Sequence, residues 1–317
     1  MEQKYVIFDR LFVMCNIEII WKRFKQEQHS SNEYDKFIQD HVDKLDVVPI
    51  IHADILYNKA MRLLQECSDS NGYAAVLNIL KSYLRLYISH QECTQLPLYA
   101  FSFRTCTEYA FEDLKNGTCS LVHPSFFNDP IDPLLINWLN LKISQNSNEY
   151  LYPLLLKATN YIRMRCFVTV KDNDVKNLNS LMWAHYADSH KGFCVKYRID
   201  STVFKNTSDC SVSMHNIKYS LPYSVDGITL NDALFAKQNI WNYEKEIRLV
   251  AYDLELSQLD EVKLIKGMHI DSIYLGCKCS EENIKRMVNL FCNSFVPIYK
   301  MVIDINNPMK YQYIRIA

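Results

Sequence analysis

Hydrophobic and polar positions follow two regimes along the chain. In the first, apolar residues recur at three- and four-residue spacing, the period of an amphipathic helix. Ala53–Glu66 (ADILYNKAMRLLQE) and Tyr73–Ile88 (YAAVLNILKSYLRLYI) are predicted helices, separated by a helix-ending turn over Cys67–Gly72 (CSDSNG). They read as a helical hairpin within an all-helical region, residues 1–95. No repeat of fixed period marks a solenoid. Past Gln95-Leu96-Pro97 the pattern changes to short strand-like runs divided by turns. Leu98–Phe103 (LYAFSF) alternates and is rich in aromatics. Met164–Val170, Phe193–Ile199, Ser211–Tyr219, Ile247–Tyr252 and Ile270–Gly276 also read as strands. Thr107–Lys115 is a predicted helix with Thr107 as its cap and Gly117 just past its end. Residues 133–162 read as helical, Ser180–Tyr186 as a helical turn, and Ser280–Ser294 as an amphipathic helix opened by Ser280-Glu281-Glu282. The fold class is α+β, with residues 96–317 forming the α+β domain.

Composition narrows the chemistry. With 49% hydrophobic and 22% charged residues, the 317-residue chain has a normal globular balance. Its formal net charge of -1 gives no bulk nucleic-acid signal. The apolar stretch Tyr5–Trp21 is interrupted by Asp9, Arg10 and Glu18, so it fits neither a spanning helix nor a signal peptide. The expectation is a cytoplasmic protein with no membrane partner. The 11 cysteines are scattered, and Cys277-x-Cys279 lacks zinc-knuckle spacing, so they read as packing thiols. Glycine is the most informative count. There are 6, none close together, whereas phosphate-cradling loops need them clustered. A P-loop and a dinucleotide-binding Rossmann turn are excluded.

Two segments concentrate chemistry. Trp183–Gly192 (WAHYADSHKG) sets Trp183 and Tyr186 three residues apart on one helical face. They are either core aromatics or one wall of a pocket that stacks on a ring, with His185 at its edge. His185 and His190 do not share a face, and no third ligand is nearby, so no metal site is expected. In Trp241–Arg248 (WNYEKEIR), a strand after Tyr243 would point Glu244, Glu246 and Arg248 to one side. That is either a solvated edge with a surface ion pair or a set of carboxylates aimed into a cleft, with Lys237 bringing a cation. Phe127–Asp132 (FNDPID) is a loop in which Asn128 and Asp129 either serve their own turn or reach a site. No local motif nominates a hydrolase triad, a zincin or a kinase.

Taken in order, LYAFSF, FNDPID, CFVTVKDNDVKNLNSLMWAHYADSHKGFCVKY, IKY, KQNIWNYEKEIRLV and SIYLGCKCSEENI resemble the bacterial domain-of-unknown-function family numbered 2971, over roughly residues 97–290. That motif order is similar to ADP-ribosyltransferases, which implies an ADP-ribosyltransferase-like mixed or antiparallel β core with NAD as substrate. By that resemblance Tyr186 stacks on nicotinamide. Glu246, or less favourably Glu244, bonds the nicotinamide ribose and stabilises the oxocarbenium ion. The first-strand position, a His or Arg in transferases, falls among Tyr99, Ala100, Ser102 and Arg104. Trp183, His185, Arg248, Asn128 and Lys237 complete the implied nucleotide-binding set.

The resemblance implies an NAD-consuming transferase, of the toxin or antiphage-effector kind, acting on an unknown macromolecular acceptor. The N-terminal helices are the expected seat of a protein partner. Two other classes stay open: a metal-dependent nucleic-acid-acting enzyme using Asp129, Glu244 and Glu246, and a non-catalytic module presenting the same residues as a binding hot spot.

Overall fold

The computed structural model describes residues 49–67, 69–90, 99–129, 131–145, 150–204, 207, 209–221, 227–256 and 258–317. Expectations for residues 1–48 lie outside the described residues. In chain order the elements are α1 (Pro49–Glu66), α2 (Ser70–His90), β1 (Tyr99–Arg104), α3 (Glu108–Asn116), β2 (Cys119–Leu121), α4 (Leu135–Ser144), α5 (Leu151–Ala158), β3 (Ile162–Val168), α6 (Ser180–Tyr186), β4 (Phe193–Ile199), β5 (Cys210–Asn216), α7 (Leu230–Phe235), β6 (Glu246–Asp253), β7 (Lys263–Ile265), β8 (Met268–Leu275), α8 (Glu281–Leu290), β9 (Ile298–Asp304) and β10 (Asn307–Arg315).

The chain divides into two compact units, Met1–Gln91 with Lys142–Thr159, and Glu92–Leu141 with Asn160–Ala317. Residues 142–159, expected with the second, belong to the first. In the first unit α1 and α2 form the expected hairpin. The two helices pack together, with Ala53, Ala60 and Leu64 of α1 and Val76, Leu80 and Leu84 of α2 buried, and Tyr57 meets Tyr83 at 5.3 Å. Helix α2 starts at Ser70, ahead of the expected Tyr73, because the Asp69 carboxylate accepts from the Gly72 N–H at 2.8 Å and caps it.

The second unit is built on one eight-stranded mixed sheet of order β10-β9-β8-β4-β1-β3-β6-β5, antiparallel except between β8 and β9. A β2–β7 pair stands apart. Helix α3 has both expected caps, Thr107 accepting from the Ala110 N–H and Gly117 at φ 61°. Helix α8 is capped by Ser280 but ends at Leu290, short of the expected Ser294. The expected helix over 133–162 corrects to α4 and α5, with strand β3 starting at Ile162. Strands β2, β7, β9 and β10 are additions to the sequence reading.

Period-two alternation divides the sheet into two faces. Ala100, Val195, Tyr197, Leu249 and Ile273 point to one, covered by Ala110, Phe111 and Leu114 of α3 and Met287 of α8. Phe101, Cys194, Tyr274 and Met301 point to the other, under Met182 and Trp183 of α6. After α6 the chain turns through three left-handed residues, Asp188, Ser189 and His190. Gly192 closes this turn against the sheet, since a Cβ there would lie 2.1 Å from the Arg104 carbonyl oxygen. The glycine of WAHYADSHKG is therefore a packing requirement.

Candidate functional site

The second face of the sheet holds a cleft of about 520 Å³. Phe101 and Phe103 of β1, Cys166 and Val168 of β3, and Phe127 of the loop before α4 supply apolar walls. Met182 and Tyr186 come from α6, and Asp132, Lys237, Glu244 and Glu246 form the polar side. The register explains the meeting: Val168 pairs with Glu246 and Cys166 with Arg248, so these side chains share a face.

At the cleft floor the Lys237 ammonium donates to Glu244 and Glu246 and forms an ion pair with Asp132. It lies 2.7 Å from Glu244 Oε2, 3.0 Å from Asp132 Oδ2 and 3.1 Å from Glu246 Oε2. Arg248, fully buried, approaches Glu246 Oε1 to 2.7 Å, donates to both Asp132 oxygens at 2.9 and 3.0 Å, and donates to the Leu234 carbonyl at 2.8 Å. The Tyr186 hydroxyl donates to Glu244 Oε1 at 2.5 Å. The Tyr219 hydroxyl accepts from the Glu246 N–H at 2.7 Å. Three carboxylates against two cations leave one formal negative charge in excess.

These neighbours tune each group differently. Burial pushes the Glu244 carboxyl above the ordinary glutamate value, against the opposing pull of Lys237 and Tyr186. Burial acts the same way on Glu246, but Arg248 and Lys237 outweigh it and hold that carboxyl below its ordinary value. Burial disfavours the charged Lys237, and Glu246, Asp132 and Glu244 more than reverse this. Beside Arg248, His215 stacks on Phe235 at 4.0 Å and meets the Ser213 hydroxyl at 2.6 Å. Burial and the Arg248 charge push its pKa down to about 3, so the ring is neutral at ordinary pH.

The geometry sorts the sequence-predicted residues. Asn128, Tyr186, Lys237, Glu244 and Glu246 line one cleft. Arg248 lies beneath it, as the buried clamp on Glu246 and Asp132. Glu244 sits in a 3₁₀ turn rather than on the strand, and Lys245 at φ 49° reverses the chain between the two glutamates. Since Glu244, Glu246 and Arg248 are at most 5% exposed, the solvated-edge reading of this segment is corrected.

The first-strand set is corrected by phase. Residues 101 and 103 face the cleft, so Ser102 and Arg104 point to the opposite face. There Ser102 accepts from Arg165 at 2.9 Å and Arg104 pairs with Asp113 at 2.7 Å. Tyr99 lies outside the cleft lining, 4.3 Å beneath the Lys196 ammonium. Trp183 is fully buried against Phe103, ring centroids 5.1 Å apart, and is core rather than cleft wall. His185 is exposed, 6.3 Å from the Trp241 ring. Asp129 touches the cleft, but its carboxylate accepts from the Ile131 N–H at 2.9 Å, closing its own turn. Asp132 takes the converging role that sequence reasoning offered to Asp129. Lys237 occupies the centre of the carboxylates where a divalent ion would sit, and among the described residues no three His, Cys, Asp or Glu side chains group for a metal.

Sequence reasoning also missed Phe101, Phe103, Tyr219 and His215. The two phenylalanines stand in the alternation of LYAFSF, but a sequence alternation does not tell which of its two phases faces a site. No local signal marks Tyr219 or His215, because both depend on strand pairing.

Compared with protein-family models, curated proteins and solved structures, the chain gives no match. Among the described residues no helix is long and apolar enough to cross a membrane.

Proposed function

We propose that the cleft breaks the bond between a ribose and a cationic nitrogen heterocycle, with NAD as donor, and that the second unit is a divergent ADP-ribosyltransferase-type catalytic domain. The observation that carries this reading is that Tyr186, Glu244 and Glu246 line one cleft walled by Phe101, Phe103 and Phe127. Flat aromatic faces and an excess negative charge suit a pyridinium ring. The resemblance of the ordered motifs to family 2971 is in keeping with the same reading.

The ribose C1′–N bond breaks with its electron pair leaving on the ring nitrogen, which releases neutral nicotinamide. The positive charge left on C1′ and the ring oxygen is stabilised by the ionised Glu246, which Arg248 and Lys237 keep deprotonated. The incoming nucleophile, water or an acceptor group, bonds to C1′ and gives its proton to Glu244, whose elevated carboxyl pKa and bond to Tyr186 suit it to a base. An ion network at the floor of a concave cleft is costly to desolvate and exceeds what a docking patch needs.

The test is nicotinamide release from NAD, with label transfer to lysate macromolecules, comparing wild type with Glu246→Gln. Release by wild type and at least a hundredfold loss in the variant are expected. No release and no transfer by wild type would sink the proposal.

A further inference from the structure

A second concavity opens on the same sheet face, on the other side of α6. Helix α6 divides the two: Met182 and Tyr186 face the cleft, while Ser180 and Trp183 line this groove. Its far side is the β9–β10 hairpin, where Tyr311 pairs with Ile303 and Tyr313 with Met301. The groove is open to solvent and larger than the cleft.

Its lining has a consistent chemistry. Lys176 and Lys310 stand exposed at the groove, and no acidic residue lines it among the described residues. Tyr311 and Tyr313 are half-buried, so each is anchored and still offers ring surface. Tyr313 is braced edge-on by Tyr274 at 5.4 Å, which stacks on Tyr299 at 5.1 Å. His190 supports Tyr311 at 6.0 Å. Asn177 and Ser180 add exposed hydrogen-bonding groups.

We infer that this groove binds single-stranded nucleic acid, with bases stacking on Tyr311 and Tyr313 and phosphates paired with Lys176 and Lys310. Fixed aromatic rings beside lysines, with Asp304 near Lys310 but outside the lining, fit a flexible polyanion whose units carry a flat face. The chain's net charge is close to zero, so the attraction is local to the groove. The inference is independent of the NAD reading, because binding is measured without a donor.

The experiment is fluorescence anisotropy of the full chain with a labelled oligothymidylate at low salt. Measurable binding is expected. Tyr311→Ala should weaken it by roughly 10-fold or more, and Tyr311→Phe, which keeps the ring, should not. The double variant Lys176→Gln/Lys310→Gln should reduce the salt slope by about 1.4, at about 0.7 per phosphate contact. Circular dichroism confirms that each variant folds. No binding by wild type at low salt would overturn the inference. So would binding insensitive to both Tyr311→Ala and the lysine pair, or displacement of the oligonucleotide by polyglutamate at equal charge concentration, which would mark an acidic-polypeptide site.

Discussion

The Tyr186 hydroxyl sits 2.5 Å from Glu244 Oε1, a charge-assisted bond between residues 58 apart in sequence. It joins the two segments in which the chain concentrates its polar and aromatic residues, α6 and the turn before β6. The other Glu244 oxygen is bound by Lys237, so two donors hold one buried carboxylate. Burial drives that carboxyl upward, and Tyr186 and Lys237 restrain it. Removing Tyr186 as a donor therefore lets it rise further. Tyr186→Phe should shift the acidic limb of the nicotinamide-release pH profile to higher pH and lower kcat about tenfold or more. A ¹³C-carboxyl titration of Glu244 reads the same shift without substrate. An unmoved limb and titration would show that Tyr186 does not tune Glu244.

Lys237 is central to the network, because one ammonium neutralises parts of three carboxylates. Replacing it with an apolar side chain leaves Asp132, Glu244 and Glu246 facing Arg248 alone. Lys237→Met should cost about 3–5 kcal/mol at neutral pH, the usual consequence of removing one partner from a buried ion pair. Adding Asp132→Asn to Lys237→Met removes one stranded charge and should recover part of the loss. Urea unfolding of the single and double variants measures both. A loss below about 1 kcal/mol in Lys237→Met would mean that the carboxylates have another source of neutralisation.

Helices α1, α2, α3, α6 and α8 and strands β1, β3, β4, β5, β6 and β8 were legible in the sequence because their signals are local, whereas α7 and the break between α4 and α5 were not. Thr107 and Gly117 bracket α3, Ser280 opens α8, and LYAFSF announces β1. The convergence of Tyr186, Glu244, Glu246 and Lys237 on one cleft was legible as an expectation drawn from motif order. What escaped depends on pairing between distant strands. Phe101 and Phe103 face the cleft because β1 sits between β4 and β3 in a given register, and a one-residue misjudgement of phase sends Ser102 and Arg104 to the site instead. Asp132 escaped because FNDPID has every mark of a turn, and it is one. Only the fold reveals that its last carboxylate meets Arg248, 116 residues later.

Arg104, expected at the site, forms a separate polar cluster on the opposite sheet face. Asp113 accepts from Arg104 at 2.7 Å, from Thr118 at 3.2 Å and from the Ser120 hydroxyl at 2.5 Å. Burial alone would raise this carboxyl, but Ser120 and Arg104 outweigh it and hold it below its ordinary 3.8. A depressed carboxyl stabilises the fold above its ordinary value and loses that contribution as pH falls through the folded value. Asp113→Asn should cost about 1–3 kcal/mol at neutral pH. It should also flatten the decline in stability below pH 3.8. Denaturant unfolding across pH reads both, and an unchanged acid decline would move its origin elsewhere.

Lys245 decides whether the two glutamates share the cleft at all. It adopts φ 49° and ψ 47°, a left-handed conformation that costs a side-chain-bearing residue about 1–2 kcal/mol. This single reversal ends the 3₁₀ turn carrying Glu244 and starts the strand carrying Glu246. Thr169 fixes it by donating to the Lys245 carbonyl from its N–H at 3.1 Å and its hydroxyl at 3.2 Å. Glycine adopts this conformation without a Cβ penalty, whereas a β-branched residue resists it most. Lys245→Gly should leave stability within about 1 kcal/mol of wild type and preserve nicotinamide release. Lys245→Val should lose about 1 kcal/mol or more and lower release disproportionately, because a relaxed backbone swings Glu244 away from Tyr186. Thermal unfolding paired with the release assay separates the two effects. Equal behaviour of the glycine and valine variants would show that the left-handed residue does not set the geometry of the glutamates.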